Sequence, residues 1–135
     1  LFNYITFAAR RQDFDAESLK IACGEAHSRG KRVYLTCNTL PHNNEMPLLE
    51  GFIKDAVAAG VDALIANDIG VFSLIKKFAP DMEIHISTQA GIVNYVTANE
   101  FYNMGAKRVV LARELSLEEI AEIRAKTPKE LEIER

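Results

Sequence analysis

Apolar residues in this chain alternate between a helical spacing and a strand spacing, and the switches recur at regular intervals. Residues 15 to 29 place Leu19, Ala22, Cys23 and Ala26 on one helical face, with Asp15 as N-cap and Gly30 as the stop. "RVYLTCN" (32 to 38) then reads as a strand. A second helix over 46 to 59 carries Pro47 in its first turn and buries Leu49, Phe52, Ile53, Ala56 and Val57. "VDALIAND" (61 to 68) is the next strand, and a helix through Val71, Leu74, Ile75 and Phe78 ends before Pro80. A strand over 83 to 88 precedes a helix from about 95 to 104 that stops at Gly105. "KRVVLAR" (107 to 113) is a further strand, and Ser116 and Glu119 have the capping-box spacing that opens a helix to about 126. "ELEIE" (130 to 134) is the fifth candidate strand.

Units of roughly 25 to 30 residues match a parallel βα repeat. "GKRV", "GVDA" and "GAKRV" lead from helix to strand through the same short hinge. That regularity favours a TIM-barrel-like α/β fold over a doubly wound sheet, and no G-x-G-x-x-G fingerprint supports the latter. A closed barrel takes about 250 residues, so the 135 residues here should form one incomplete barrel domain, about five of eight βα units. The chain starts at Leu1 and stops at "LEIER", and both ends look cut.

Catalytic groups of parallel barrels gather at the carboxyl ends of the strands, and strand parity sorts the candidates. Ile84 and Ile86 share one side, facing the helices, while His85, Ser87 and Gln89 share the side of the barrel axis. Tyr34, Thr36 and Asn38 oppose Val33, Leu35 and Cys37 in the same way. Two neighbouring strands would thus present polar ladders to the axis, as a binding pocket does. Asn67 and Asp68 end one strand, and Arg113 and Glu114 another. Plainer roles compete: Asp68, Asn94 and Ser116 are good N-caps, Arg113 and Glu114 could form a solvated pair, and His85 could be a hydrogen-bonded core histidine. Ser87 and His85 lie about 7 Å apart along one strand, with no visible orienting acid or oxyanion hole to complete a serine triad.

Composition is that of a globular chain, with 48% hydrophobic and 26% charged residues. The net charge of −3 leaves no electrostatic footprint for nucleic acid, although a partner domain could supply one. No apolar run is long enough for a membrane span and no leader is visible, so the cytoplasm is the expected location. Cys23 and Cys37 are far from any C-x-x-C spacing and are expected to be reduced and structural. Metal-ligand spacing is absent.

"FAAR" (7 to 10), "VYLTCNTL" (33 to 40), "DALIANDIG" (62 to 70), "IHISTQ" (84 to 89) and "GAKRVVLARELSLEEI" (105 to 120) together resemble the peptidase U32 family of collagenase-like proteases. The resemblance runs in order over almost the whole chain, and "STQ" and "VVLARELSLEEI" are its most specific pieces. It implies an N-terminal TIM-barrel-like domain. It also implies hydroxylation of nucleobases in transfer or ribosomal RNA, or support of oxygen-independent ubiquinone hydroxylation, with a cysteine-held iron–sulfur cluster. Some RNA-modifying members depend on prephenate. By position it carries over Arg10, Asn38, Asp68, Ser87, Thr88, Gln89, Asn94, Arg113 and Glu114. The family's cysteine-rich signature would begin after "ELEIE", and the strand expected before "FAAR" is missing. The chain is therefore expected to hold strands two to six, with any cluster held by cysteines beyond Arg135.

Three expectations follow. As the barrel portion of a hydroxylation enzyme, the chain would use Ser87, His85 and Glu114 as candidate catalytic groups and Arg10, Asn38, Asp68, Thr88, Gln89, Asn94 and Arg113 to bind substrate. It would hold no metal of its own and would take a small anionic co-substrate, with RNA or a quinone as partner of the full-length protein. As a collagenase-like peptidase it would hydrolyse peptide bonds through Ser87 or His85. As a fragment with exposed strand edges it would be an inactive scaffold that pairs into homo-oligomers.

Overall fold

A computed structural model describes residues 4–8, as backbone alone, and residues 15–135. Arg10 lies outside the described residues. Strand β1 (Tyr4–Ala8) leads to helix α1 (Ala16–Ser28), β2 (Arg32–Cys37), α2 (Met46–Ala59), β3 (Ala63–Ala66) and α3 (Ile69–Phe78). The chain continues through β4 (Glu83–Ile86), α4 (Tyr95–Met104), β5 (Arg108–Val110), α5 (Leu117–Ala125) and β6 (Glu132–Glu134).

The helices start where side-chain acceptors take up free backbone donors. Asp15 accepts from Ser18 N at 2.7 Å, Asp68 from Val71 N at 2.9 Å and Asn94 from Thr97 N at 2.8 Å. Ser116 and Glu119 form the reciprocal capping box that their spacing predicts.

The six strands are all parallel and lie in chain order, β1 to β6. A doubly wound sheet reverses direction at a switch point, whereas here every crossover leads to the adjacent strand. Right-handed crossovers of that kind put all the helices on one face. The buried core confirms the one-sided packing: Leu35, Leu64, Ile84 and Ile86 of the strands pack with Leu19, Ile53, Phe72 and Ile75 of the helices. Truncating any of the larger of these to alanine should cost about 2–5 kcal/mol. The sheet is an arc of a TIM-like barrel, five βα units followed by a sixth strand.

Two expectations about the strands change. β1 occupies Tyr4–Ala8, within the stretch that ends in "FAAR", so the arc has one more strand than the five expected. The strand expected over 83 to 88 ends at Ile86, and Thr88–Ala90 forms a single 3₁₀ turn. Strands β3 and β5 also stop short of 68 and 113. After β3 and β4, Asp68 and Ser87 turn their side-chain oxygens onto amides of the next segment and start the helical turns that follow. No helix among the described residues is long and apolar enough to cross a membrane.

Candidate functional site

Register places the inner-face residues, on the side away from the helices, in rows across the sheet. One row runs Thr36, Ile65, His85, Arg108 and Glu132. One step towards the carboxyl ends, the same alternation leads to Asn38, Asn67, Ser87, Val110 and Glu134, the first three each one residue past their strands. Val110 and Glu134 are directly paired, and Ser87 N donates to Ala66 O at 2.8 Å, which carries the ladder past the ends of β3 and β4. The parity drawn from the sequence thus places Tyr34, Thr36, His85 and Ser87 on the inner face. It fails at Gln89, which the 3₁₀ turn carries out to solvent.

Charged groups hold the part of this face nearest the strand starts together. His85 is buried, meets the Tyr34 ring edge-on with centroids 4.6 Å apart, and shares a hydrogen bond of 2.7 Å between Nε2 and Glu83 Oε1. Glu83 Oε2 accepts from Arg32 at 2.9 Å. The Arg32 and Arg108 guanidinium carbons lie 5.3 and 5.4 Å from the Tyr34 ring centroid, within cation–π range. Arg108 also bonds Glu132 at 2.6 Å and Glu134 at 3.1 Å.

Burial pushes the His85 pKa below its ordinary value, and the nearby Arg108 charge adds to that, against the opposing pull of Glu83. The imidazole is therefore neutral near pH 7 and donates Nε2–H to the carboxylate. Burial acts to raise the Glu83 pKa, but hydrogen bonds from His85 and Arg32 outweigh it and hold the carboxyl below its usual range.

Around the carboxyl ends of the strands the candidates have separate roles. Ser87 is buried, and its Oγ accepts from Gln89 N at 3.3 Å. Ser87 and His85 therefore bond to Gln89 and Glu83 rather than to each other. Asp68 and Asn94 cap α3 and α4. Asn38 and Thr88 are half-buried, while Arg113 and Glu114 are exposed beside the β5–α5 turn. Sequence reasoning did not single out Glu83, Arg108 and Glu132, which stand first in β4, β5 and β6 rather than at strand ends, nor Glu134 at the end of β6. Parity applied to whole strands would have found them.

Among the described residues no group of three or more His, Cys, Asp and Glu could hold a metal ion. Cys23 and Cys37 are free and buried. Burial raises both thiols, Cys37 to about 11, with the Asp62 charge adding to the effect at Cys23. An iron–sulfur cluster takes four cysteine thiolates, so these two residues alone do not make a cluster site. A cavity of about 490 Å³ lies on the opposite, helix-covered side, lined by Leu19, Leu35, Cys37, Leu40, Leu48 and Phe52. It is mainly apolar and carries none of the candidate groups of the inner face.

The family model for peptidase family U32 matches residues 3–135. The chain is 43% identical over 125 residues to "tRNA hydroxylation protein P" of Escherichia coli K12, a match covering 93% of this chain and 27% of that protein. It is 36% identical over 107 residues to the "23S rRNA 5-hydroxycytidine C2501 synthase" of the same organism, covering 79% of this chain and 16% of that protein. Among solved structures, a U32 peptidase superposes with a TM-score of 0.76 at 17% identity, covering 97% of this chain and 60% of the other. That likeness shows the fold. The chain thus spans about a quarter of the length of the first of these relatives.

Proposed function

The chain belongs to peptidase family U32, and from that premise we propose that it is the barrel portion of an enzyme that hydroxylates a nucleobase in RNA. One observation carries the proposal: 43% identity over 93% of the chain to a protein of tRNA hydroxylation. In this role the inner face near the carboxyl ends of the strands receives the small molecules of the reaction. Asn38 and Ser87 offer hydrogen bonds from the face itself. Gln89 and Arg113 stand at the solvent edge, where a guanidinium can take a carboxylate through two parallel hydrogen bonds. Oxidative chemistry needs a redox group, and the two buried cysteines here are too few to hold a cluster by themselves. The cysteines of a cluster would come from outside these residues.

A peptidase role finds less support, because the hydrogen bonds of Ser87 and His85 form no nucleophile–base pair. Nucleoside mass spectrometry of RNA from a strain lacking the gene tests the proposal. One hydroxylated nucleoside should disappear and return with the intact gene. Complementation by an Arg113→Ala variant should need about tenfold more anionic co-substrate for the same rate. RNA whose modified nucleosides are unchanged by the deletion would refute the proposal.

A further inference from the structure

Asn67 stands one residue past the end of β3, in the inner-face row between Asn38 and Ser87. Its Oδ1 is shielded from solvent and has no hydrogen-bond partner, the one such side-chain atom among the described residues. Folded chains rarely leave a buried acceptor unpaired, because desolvation is then uncompensated. Its neighbours do not supply the missing donor. Asp68 turns its carboxylate onto Val71 N, and Ser87, whose Oγ accepts from Gln89 N, makes no hydrogen bond to Asn67.

We infer that Asn67 is a ligand-recognition residue, whose Oδ1 accepts an N–H or O–H from a group bound at the carboxyl end of β3. The sign of the atom restricts the ligand. A carboxylate or phosphate brings only acceptors to that oxygen, so the group that meets Asn67 Oδ1 bears an N–H or O–H donor. Any anionic part of a ligand belongs with Arg113 at the rim. On the RNA proposal, on which this inference rests for its choice of ligand, the donor is the amino or imino N–H on the edge of an unstacked base. Side chains read such edges once a base leaves its stack. Asn67 then selects for the donor, because a base lacking it would leave Oδ1 still unpaired.

The test uses cytidine and uridine with N4,N4-dimethylcytidine and 3-methyluridine as counterparts that lack the donor. All four are titrated by NMR against the full-length protein and its Asn67→Ala and Asn67→Asp variants. In the unaltered protein, methylation should weaken binding at least tenfold. Asn67→Ala should bind each nucleoside and its methylated counterpart alike, and Asn67→Asp, which keeps an acceptor, should restore the discrimination. Equal affinity for both members of each pair in the unaltered protein would overturn the inference, and so would Asn67→Ala retaining full discrimination. Failure to bind any of the four would overturn it too, even if the RNA of the deletion strain confirmed hydroxylation. An unchanged RNA in that strain would sink the proposed function while leaving discrimination by Asn67 measurable.

Discussion

Replacing His85 by phenylalanine keeps a ring of similar volume against Tyr34 and removes both ring nitrogens. The lost interaction is the 2.7 Å hydrogen bond to Glu83, made in a buried setting. A hydrogen bond to a charged group contributes about 1.5–3 kcal/mol. The edge-on aromatic contact, about 0.5–1.5 kcal/mol, is retained. His85→Phe should therefore destabilise the domain by about 1.5–3 kcal/mol at pH 7.5. The pH dependence is the sharper signature. The His85 pKa is lowered on folding from 6.5, so the unfolded chain takes up the proton first. The stability linked to His85 is complete above about pH 6.5 and is lost as pH falls, with a limiting slope of about 1.4 kcal/mol per pH unit. Glu83, also lowered, contributes in the same direction only below its ordinary value of 4.5. Urea unfolding at pH 7.5, 6.5 and 5.5 separates the two. The wild-type curve should steepen towards acid while the His85→Phe curve loses that component, so the two approach each other at pH 5.5. Parallel curves would show that burial and Arg108 do not outweigh Glu83 at this imidazole, and the neutral-histidine argument would fall.

Ser116→Ala removes the acceptor of a complete capping box and should cost about 1 kcal/mol by urea denaturation, without affecting ligand binding. Gly105 closes α4 at φ 109°, and a Cβ there would come 2.6 Å from Lys76 Nζ. The lysine tip can swing away but the backbone strain stays, so Gly105→Ala should lower stability by about 1–2 kcal/mol. The Cys37 thiol, pushed up to about 11 by burial, should resist iodoacetamide at pH 8 in the native state and react once urea is added. Labelling of native Cys37 at the rate of a free thiol would contradict its burial.

Periodicity made the helices legible because their signals are local: Asp15, Asp68, Asn94 and Ser116 each bond an amide three residues ahead. Core faces of the strands were legible too, since Leu35, Leu64, Ile84 and Ile86 alternate with inner residues. Strand ends were less so. Ser87 reads as strand by alternation, but its hydroxyl lies against Gln89 N and turns the chain into a 3₁₀ segment. The inner-face network was hidden for a different reason. Arg32, Glu83, Arg108 and Glu132 belong to different strands up to 100 residues apart, and only register brings them together. Exposed charges at strand starts are ordinary in sequence, and nothing local marks them as partners.

That network also decides where on the inner face a ligand can bind. Towards the strand starts, the polar groups answer one another: Glu83 takes Arg32 and His85, and Arg108 takes Glu132 and reaches up to Glu134 in the next row. A ligand would have to break charge-assisted hydrogen bonds to enter there, at about 1.5–3 kcal/mol for each one lost. One row nearer the carboxyl ends the balance is reversed, because Asn67 Oδ1 already lacks a donor. A ligand that supplies one recovers a desolvation cost the fold has already met and displaces no protein partner. The paired row therefore acts as a rigid floor that holds Tyr34 and His85 in place. The incompletely satisfied row above it is where binding gains most.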